Sequence, residues 1–387
     1  MNRKNSNNGI RIMISTGEAS GDLHGAGLIS AIKRLAPDVD VCGIGGKALH
    51  EQGVELLYDV SGLAVTGFIE VFSHLSDIRA AKNAMEQRLK EWRPHLLILI
   101  DYPDFNLMLA KKAKRLGIPI LYYISPQVWA WRSGRAKKIS RLVDRMAVIL
   151  PFEQEFYRQR QIEVDFVGHP LLDSVKPTCS GKEFLKRNGL SLDGAKVGIL
   201  PGSRKKEISF ILPVFLDAAK RLYDRRKDLV FLLPLAPTLT RADLEKNGLN
   251  DCGLDIKVVS GNRYDLMAAC DAVMAASGTV TLELAILNIP MVVSYRTSPL
   301  TYFLGRRLIK VEFASLVNLV AGKEVVKELL QDNAQPDKIA EAVMRILKDK
   351  KKSNRMREQL ADVCKQLGKP GASDRTAQLA MELINQT

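Results

Sequence analysis

Short apolar runs alternate along this chain with stretches whose apolar residues recur every three or four positions. That alternation is the pattern of strand and helix in turn, and it predicts parallel sheets covered by helices. In the first half, Ile10–Thr16 reads as a strand, 22–35 as a helix, Val39–Ile44 as a strand and 73–92 as a helix. His95–Ile100 is an unbroken apolar run ending at Asp101, which predicts a strand buried on both faces. Further strands are predicted at Pro119–Ser125, Arg145–Leu150 and Val164–Val167, with helices near 105–116, 132–142 and 153–160. A second series opens at Val197–Leu200 and continues through Val230–Leu235, Ile256–Ser260, Ala272–Ala275 and Met291–Tyr295. Helices near 336–365 and 372–385 follow it.

A chain of 387 residues outgrows one hydrophobic core, so two domains are expected. We place a first Rossmann-like α/β domain at 10–177, a second at 196–335, and helices at 336–387 that can cross back to the first. Thr178–Ala195 reads as the linker. Open parallel sheets bind ligands beyond the carboxyl ends of their strands, so the chemistry is expected in those loops, around a cleft between the domains.

Composition narrows the function. Hydrophobic residues at 46% and charged ones at 26% are ordinary for a globular protein and leave no room for long disorder. The first ten residues are polar, and no later run reaches the roughly 18 apolar residues of a spanning helix. A soluble, cytoplasmic protein is therefore expected. Five scattered cysteines without a CxxC point to neither a disulfide framework nor a zinc site. The net charge of +14 favours anionic partners: phosphorylated substrates, an acidic membrane face or nucleic acid. With few aromatics and no RNA-binding signature, no nucleic-acid partner is expected.

Four segments of the first half carry candidate chemistry. Gly17-Glu18-Ala19-Ser20-Gly21-Asp22-Leu23-His24-Gly25 is a glycine-punctuated turn opening a helix, where backbone can approach a ligand closely. Its glycine spacing is not that of a dinucleotide fingerprint. Asp101-Tyr102-Pro103-Asp104-Phe105-Asn106 sets two carboxylates at the end of the most apolar strand. Either can serve as general base for a sugar hydroxyl, and Asp104 can equally cap the following helix. Trp129 and Trp131 sit beside Arg132 and Arg135 in Ser125–Arg135, a combination suited to a phosphorylated sugar or lipid head group, or to a core packed under a basic face. Val65, Phe68, Ile69 and Phe72, in Leu63–Leu75, recur at helical spacing and fit either core or a membrane-docking stripe.

In the second half, Leu200-Pro201-Gly202-Ser203-Arg204 joins a strand to a helix, offering backbone donors and a guanidinium fork to a diphosphate. Ala276-Ser277-Gly278-Thr279-Val280-Thr281-Leu282-Glu283 does the same, with Glu283 placed to accept from ribose hydroxyls. Asp38-Val39-Asp40 matches a metal-binding DxD only formally, because it lies in a turn after Pro37; the histidines are dispersed, and no metal is expected.

Taken in order, GEASGD, DYPDFN, SPQVWAWR, PFE at 151–153, FVGHPL, LPGSR, ASGTVTLE, PMVVSYR and VNLVAG closely resemble the lipid A disaccharide synthases from residue 10 to about 335. One departure falls at Lys327, just before Glu328-Leu329-Leu330-Gln331, where the family carries proline. The resemblance implies a GT-B fold and an inverting transfer of 2,3-diacylglucosamine from its UDP derivative to the 6-hydroxyl of 2,3-diacylglucosamine 1-phosphate. Asp101, Asp104 or Glu18 would be the base. Gly202, Ser203, Arg204, Ser277, Gly278, Thr279 and Glu283 would hold the donor, with Asn318 and Gln331 added by the resemblance alone. It further implies peripheral association with the inner membrane, needs no cofactor, and leaves a homodimer open. Two other readings stand beside it: a UDP-N-acetylglucosamine 2-epimerase-like enzyme, and a non-enzymatic basic membrane-binding protein.

Overall fold

In the computed structural model the chain divides into two units, Met1–Pro170 with Gly368–Thr387, and Leu171–Leu367. The structure describes residues 9–59, 75–131, 133–298, 302 and 311–386; Val65, Phe68, Ile69, Phe72 and Arg132 lie outside the described residues, as does the Trp131 side chain.

The first unit is built on seven strands: β1 (Arg11–Ser15), β2 (Asp40–Gly45), β3 (Glu55–Asp59), β4 (Leu96–Ile100), β5 (Ile120–Tyr123), β6 (Arg145–Val148) and β7 (Asp165–Phe166). Their order is β3-β2-β1-β4-β5-β6-β7, with every pairing parallel. The chain winds outward from β1 to one edge, then returns to start again at β4. Ser15 pairs with Leu99, so the two strands end side by side. Leu96–Ile100 is fully buried, as its unbroken apolar run requires. The short edge strand β3 escaped sequence reading because its central side chains are only half-buried and give no apolar run. Helix Ala372–Asn385, from the far end of the sequence, packs against helix Ala19–Leu35. Arg375 in it donates from Nε to the Val167 carbonyl at 2.9 Å.

The second unit holds β8 (Lys196–Leu200), β9 (Val230–Pro234), β10 (Ile256–Val259), β11 (Ala272–Ala276), β12 (Met291–Tyr295) and β13 (Lys327–Leu330). Their order is β10-β9-β8-β11-β12-β13, again parallel throughout. Here the winding reverses between β8 and β11. Lys327 opens the edge strand β13, a position that tolerates proline as well as lysine, so the departure from the family pattern costs nothing visible.

Two helices differ from expectation for local reasons. The stretch 336–365 is broken at Asp349, whose backbone leaves the helix and whose carboxylate accepts from the Lys352 amide at 3.1 Å, starting helix Lys350–Gln366. Among the described residues of 132–142 there are only short pieces, a 3-10 turn at Ser133–Arg135 and the helix Ala136–Ser140. Thr178 and Cys179, expected at a linker, are tied down: the Asp265 carboxylate accepts from both amides and from Thr178 Oγ1.

Candidate active site

Because β1 and β4 are neighbours, the loops leaving their carboxyl ends bring Glu18, Asp101 and Asp104 to one edge of the first sheet. This is the switch point of the winding, where such sheets bind ligands. The backbone there is unusual. Asp101 and Tyr102 both adopt left-handed conformations, with φ of 44° and 45°, which costs a non-glycine residue roughly 1–2 kcal/mol each.

Buried hydrogen bonds hold that conformation. Asn106 is fully buried and donates from Nδ2 to the carbonyls of Ile100 (3.1 Å) and Asp101 (2.7 Å). Ser15 Oγ donates to Asn106 Oδ1 at 2.7 Å, and the Tyr122 hydroxyl donates to the Asp101 carbonyl at 2.6 Å. The Tyr102 ring stacks on Phe105 at 5.3 Å and lies over Gly17, where a Cβ would stand 2.2 Å from Tyr102 Cγ. Glycine at 17 is thus demanded by the ring above it. Burial, and then the charges of Asp104 and Glu18, raise the Tyr102 phenol above its usual range, so that ring shares the neighbourhood of both acids.

The carboxylates differ in surroundings. Asp101 is half-buried at the strand tip. Asp104 is exposed in the first turn of helix Pro103–Arg115 and makes no cap; it pairs instead with Arg135 Nη1 at 2.8 Å. Glu18 is exposed at the start of helix Ala19–Leu35. Asp22 has a scaffolding role: its buried carboxylate accepts from the amides of Gly46, Ala48 and Leu49 and so starts helix Lys47–Glu51. His24 and His169 form a largely buried neutral pair. Burial lowers His24 to about 4, and burial together with the nearby His24 lowers His169 to about 3.

Trp129 turns its indole N–H inward to Glu153 Oε1 at 3.2 Å, and its ring packs edge-to-face with Phe152, the centroids 4.8 Å apart. Arg135 is engaged by Asp104, so this segment and the β4 loop are linked.

In the second unit, Gly202–Arg204 leaves β8 and Ser277–Thr279 leaves the adjacent β11. Gly202 has φ 109°, and a Cβ there would lie 2.6 Å from Glu207 Oε2. The Glu207 carboxylate accepts from the Ser203 amide at 3.3 Å and from Arg204 Nη1 at 3.0 Å, which holds the loop closed on itself. Ser277 Oγ donates to the Ala314 carbonyl at 2.8 Å, while Thr279 is exposed and Gly278 half-buried. Glu283 is buried and gripped by Arg263 at both oxygens, Nη2–Oε1 at 2.7 Å and Nε–Oε2 at 3.2 Å. Tyr264 joins at 3.4 Å, its phenol raised to about 12 by burial and then by Glu283.

The two residues that resemblance added sit deeper. Asn318 is fully buried; its Oδ1 accepts from the amides of Val325 and Val326, and its Nδ2 donates to the Val326 carbonyl and Glu328. Glu328 in turn accepts from the Ala314 and Ser315 amides and from Ser315 Oγ, so Asn318 braces the segment that Ser277 touches. Gln331, at the tip of β13, accepts from the Thr297 amide at 3.0 Å.

Sequence reasoning missed Asn106, Tyr102, Arg263, Tyr264 and Tyr295. The last stands at the tip of β12, its phenol raised by burial, then by Glu207, with Arg204 opposing. Tyr102 and Tyr295 lie at the carboxyl ends of β4 and β12, which is the signal that could have found them, whereas Asn106, Arg263 and Tyr264 lie on the helices that follow β4 and β10. Among the described residues no group of three or more potential metal ligands gathers, and no helix is long and apolar enough to cross a membrane.

Two parallel-sheet units, each with its chemistry-bearing loops at a switch point, define the GT-B class of glycosyltransferases and related epimerases. Solved structures show the same fold over almost the whole chain. The S. aureus MnaA–UDP complex matches with TM-score 0.68 at 14% identity, covering 98% of each chain. The glycotransferase of kitacinnamycin matches with TM-score 0.64 at 15% identity, covering 97% of this chain and 98% of that one. Sequence narrows the class to one family. The model of lipid-A-disaccharide synthetase matches residues 12–383. Lipid-A-disaccharide synthases from Geobacter sulfurreducens and Nitrosococcus oceani are 49% and 47% identical; the first alignment covers 97% of each chain and the second 96%. The chain belongs to the lipid-A-disaccharide synthase family, a family of glycosyltransferases.

Proposed function

We propose that the second unit holds a UDP-sugar carrying acyl chains, and that the first unit presents a phosphorylated lipid sugar to it. The donor is read as UDP-2,3-diacylglucosamine and the acceptor as 2,3-diacylglucosamine 1-phosphate. Asp101 takes the proton of the acceptor 6-hydroxyl, whose oxygen forms the new bond to the anomeric carbon. The bond from that carbon to UDP breaks, with inversion. Negative charge growing on the diphosphate is met by Arg204 and by the amides at Ser203 and Ser277–Thr279. Glu283, steadied by Arg263, receives the ribose hydroxyls.

The observation that carries this reading is the pairing of Asp101 with a clamped, strained backbone at the β1/β4 switch point. Strain of this kind persists where a group must be held for chemistry. Asp104 is the weaker base candidate, because Arg135 already occupies it, and Glu18 is the rival. Lipid substrates imply peripheral association with the inner membrane surface, to which the charge of +14 would contribute.

Mass spectrometry of the product formed from defined lipid substrates tests the transfer. The Asp101→Asn variant tests the base, and calorimetry with UDP tests the donor side. An epimerase-like reaction is the second reading, favoured only by a fold shared with proteins such as a putative UDP-N-acetylglucosamine 2-epimerase from Listeria monocytogenes, at TM-score 0.65 and 12% identity, covering 98% of each chain. Donor converted without acceptor would select it.

A further inference from the structure

The Pro151-Phe152-Glu153 motif has no part in the reaction as drawn, yet Glu153 is only 2% exposed and accepts four hydrogen bonds. Its Oε2 takes the amides of Ile149 and Leu150 at 3.1 and 2.9 Å, which starts helix Pro151–Arg158 just beyond β6. One oxygen suffices for that task. The other, Oε1, takes Ser125 Oγ at 3.1 Å and the Trp129 indole at 3.2 Å, both from the segment that follows β5. Tyr157 completes the group by donating its hydroxyl to Ser125 Oγ at 3.2 Å. The neighbour of Ser125 reaches the acid loop directly: the Ile124 carbonyl accepts from the Asp101 amide at 3.3 Å.

We propose that Glu153 is a positioning residue for the transfer, fastening Ser125 and Trp129 so that segment 125–131 is held beside Asp101 to receive the phosphorylated acceptor. The proposal rests on the reading of the first unit as the acceptor side. Glu153 itself touches no substrate. Burial pushes its carboxyl up to about 7 against the pull of its four donors. The titratable group facing it is the Tyr157 phenol, held by burial above its usual range, and among the described residues no lysine or arginine pairs with it. A proton arriving near neutral pH therefore competes with the indole and hydroxyl donors for the same oxygens.

Steady-state kinetics with each substrate varied in turn, on wild type, Glu153→Gln, Trp129→Phe and Trp129→Ala, test this. Glu153→Gln and Trp129→Phe are expected to raise the acceptor KM by about 5- to 10-fold, the worth of one buried hydrogen bond, with the donor KM within about twofold of wild type. Wild-type kcat/KM for acceptor should fall on the acid side of neutrality, and Glu153→Gln should lack that limb. Acceptor KM unchanged in Glu153→Gln, or donor and acceptor KM rising together, overturns the proposal. Should Glu153→Gln not fold, Trp129→Phe decides, since it removes the N–H while keeping a six-membered aromatic ring against Phe152. If Trp129→Ala also leaves the acceptor KM unchanged, the acceptor-side reading of the segment fails with it. If Trp129→Ala raises that KM while Trp129→Phe and Glu153→Gln do not, only the positioning role is lost.

Discussion

The side-chain amide of Asn106 donates to the main-chain carbonyl of Asp101 at 2.7 Å, with Asn106 itself fully buried and anchored to Ser15. A side chain on the following helix thereby dictates where the acid at the end of β4 points. Left-handed backbone at two successive non-glycine residues is unstable alone, and this bond, with that from Tyr122, keeps it in place.

Removing the charge of Asp101 without changing its shape should therefore stop the reaction and spare the fold. Asp101→Asn is expected to lower kcat by about 100-fold or more while UDP affinity stays at wild type. Asp104→Asn, which loses only an exposed ion pair, should cost less than about tenfold. Turnover and UDP calorimetry on both variants, with Glu18→Gln beside them, rank the three acids. Full activity in Asp101→Asn removes it as the base.

Gly17 and Tyr102 should behave as a coupled pair. A methyl at 17 collides with the ring of Tyr102, so Gly17→Ala should destabilise by roughly 2–3 kcal/mol, within the usual range for overpacking. In a Tyr102→Ala background the same change should cost under about 1 kcal/mol, because the obstacle is gone. Urea unfolding of the four proteins gives the coupling. Equal costs in both backgrounds mean the ring is not what excludes a side chain at 17.

On the donor side, Glu283→Ala should weaken UDP binding by about 10- to 100-fold, the loss of one or two hydrogen bonds to a charged acceptor. The change should also erase the preference for UDP over its 2′-deoxy analogue. Arg263→Ala leaves the carboxylate present but ungripped and should weaken binding less. Calorimetry with the two nucleotides checks this, and an intact 2′-hydroxyl preference in Glu283→Ala would remove the ribose from that site.

The imidazoles of His24 and His169 make a pH prediction with a definite sign. Their folded pKa values, about 4 and about 3, lie below the ordinary 6.5, so protonation favours the unfolded chain. Their contribution is intact above pH 6.5 and is lost as the pH falls through 4 to 3. For His169 alone the full loss is on the order of 5 kcal/mol, with about 2 kcal/mol of it gone by pH 5. Glu153 works in the opposite sense: its raised pKa gives stability that is full below about 4.5 and lost as pH rises through 7. The measurement is accordingly a difference, wild type against His169→Gln, by urea unfolding at pH 7 and pH 5. Parallel pH dependence in the two proteins would exonerate His169.

Much of this architecture was readable from residues in sequence. The runs at Leu96–Ile100 and Ala272–Ala276 are apolar because both faces of a central parallel strand are covered, and glycine- or proline-marked turns follow them. Reading a strand and its turn together was enough to put Asp101 and Ser277 at strand tips. Edge strands such as Glu55–Asp59 and Lys327–Leu330 left little trace, because a half-exposed strand needs no apolar run. Invisible too was everything that depends on partners distant in sequence. Arg263 grips Glu283 from 20 residues away and Trp129 reaches Glu153 over 24, and no spacing announces either. Asn106 was read as part of a motif, but that its amide would brace the acid five residues earlier required coordinates.

The docking of Ala372–Asn385 on Ala19–Leu35 bears on how the protein is made. Arg375 meets the Val167 carbonyl 208 residues upstream, so the first unit cannot be finished when its own sheet has left the ribosome. Its helix surface must wait, uncovered, while the second unit is translated and folds. Stop codons or proteolytic nicks between Leu367 and Ala372 should thus injure the opening part of the protein, far away in the gene, and chaperones that shelter bare apolar helices would find their substrate during that interval.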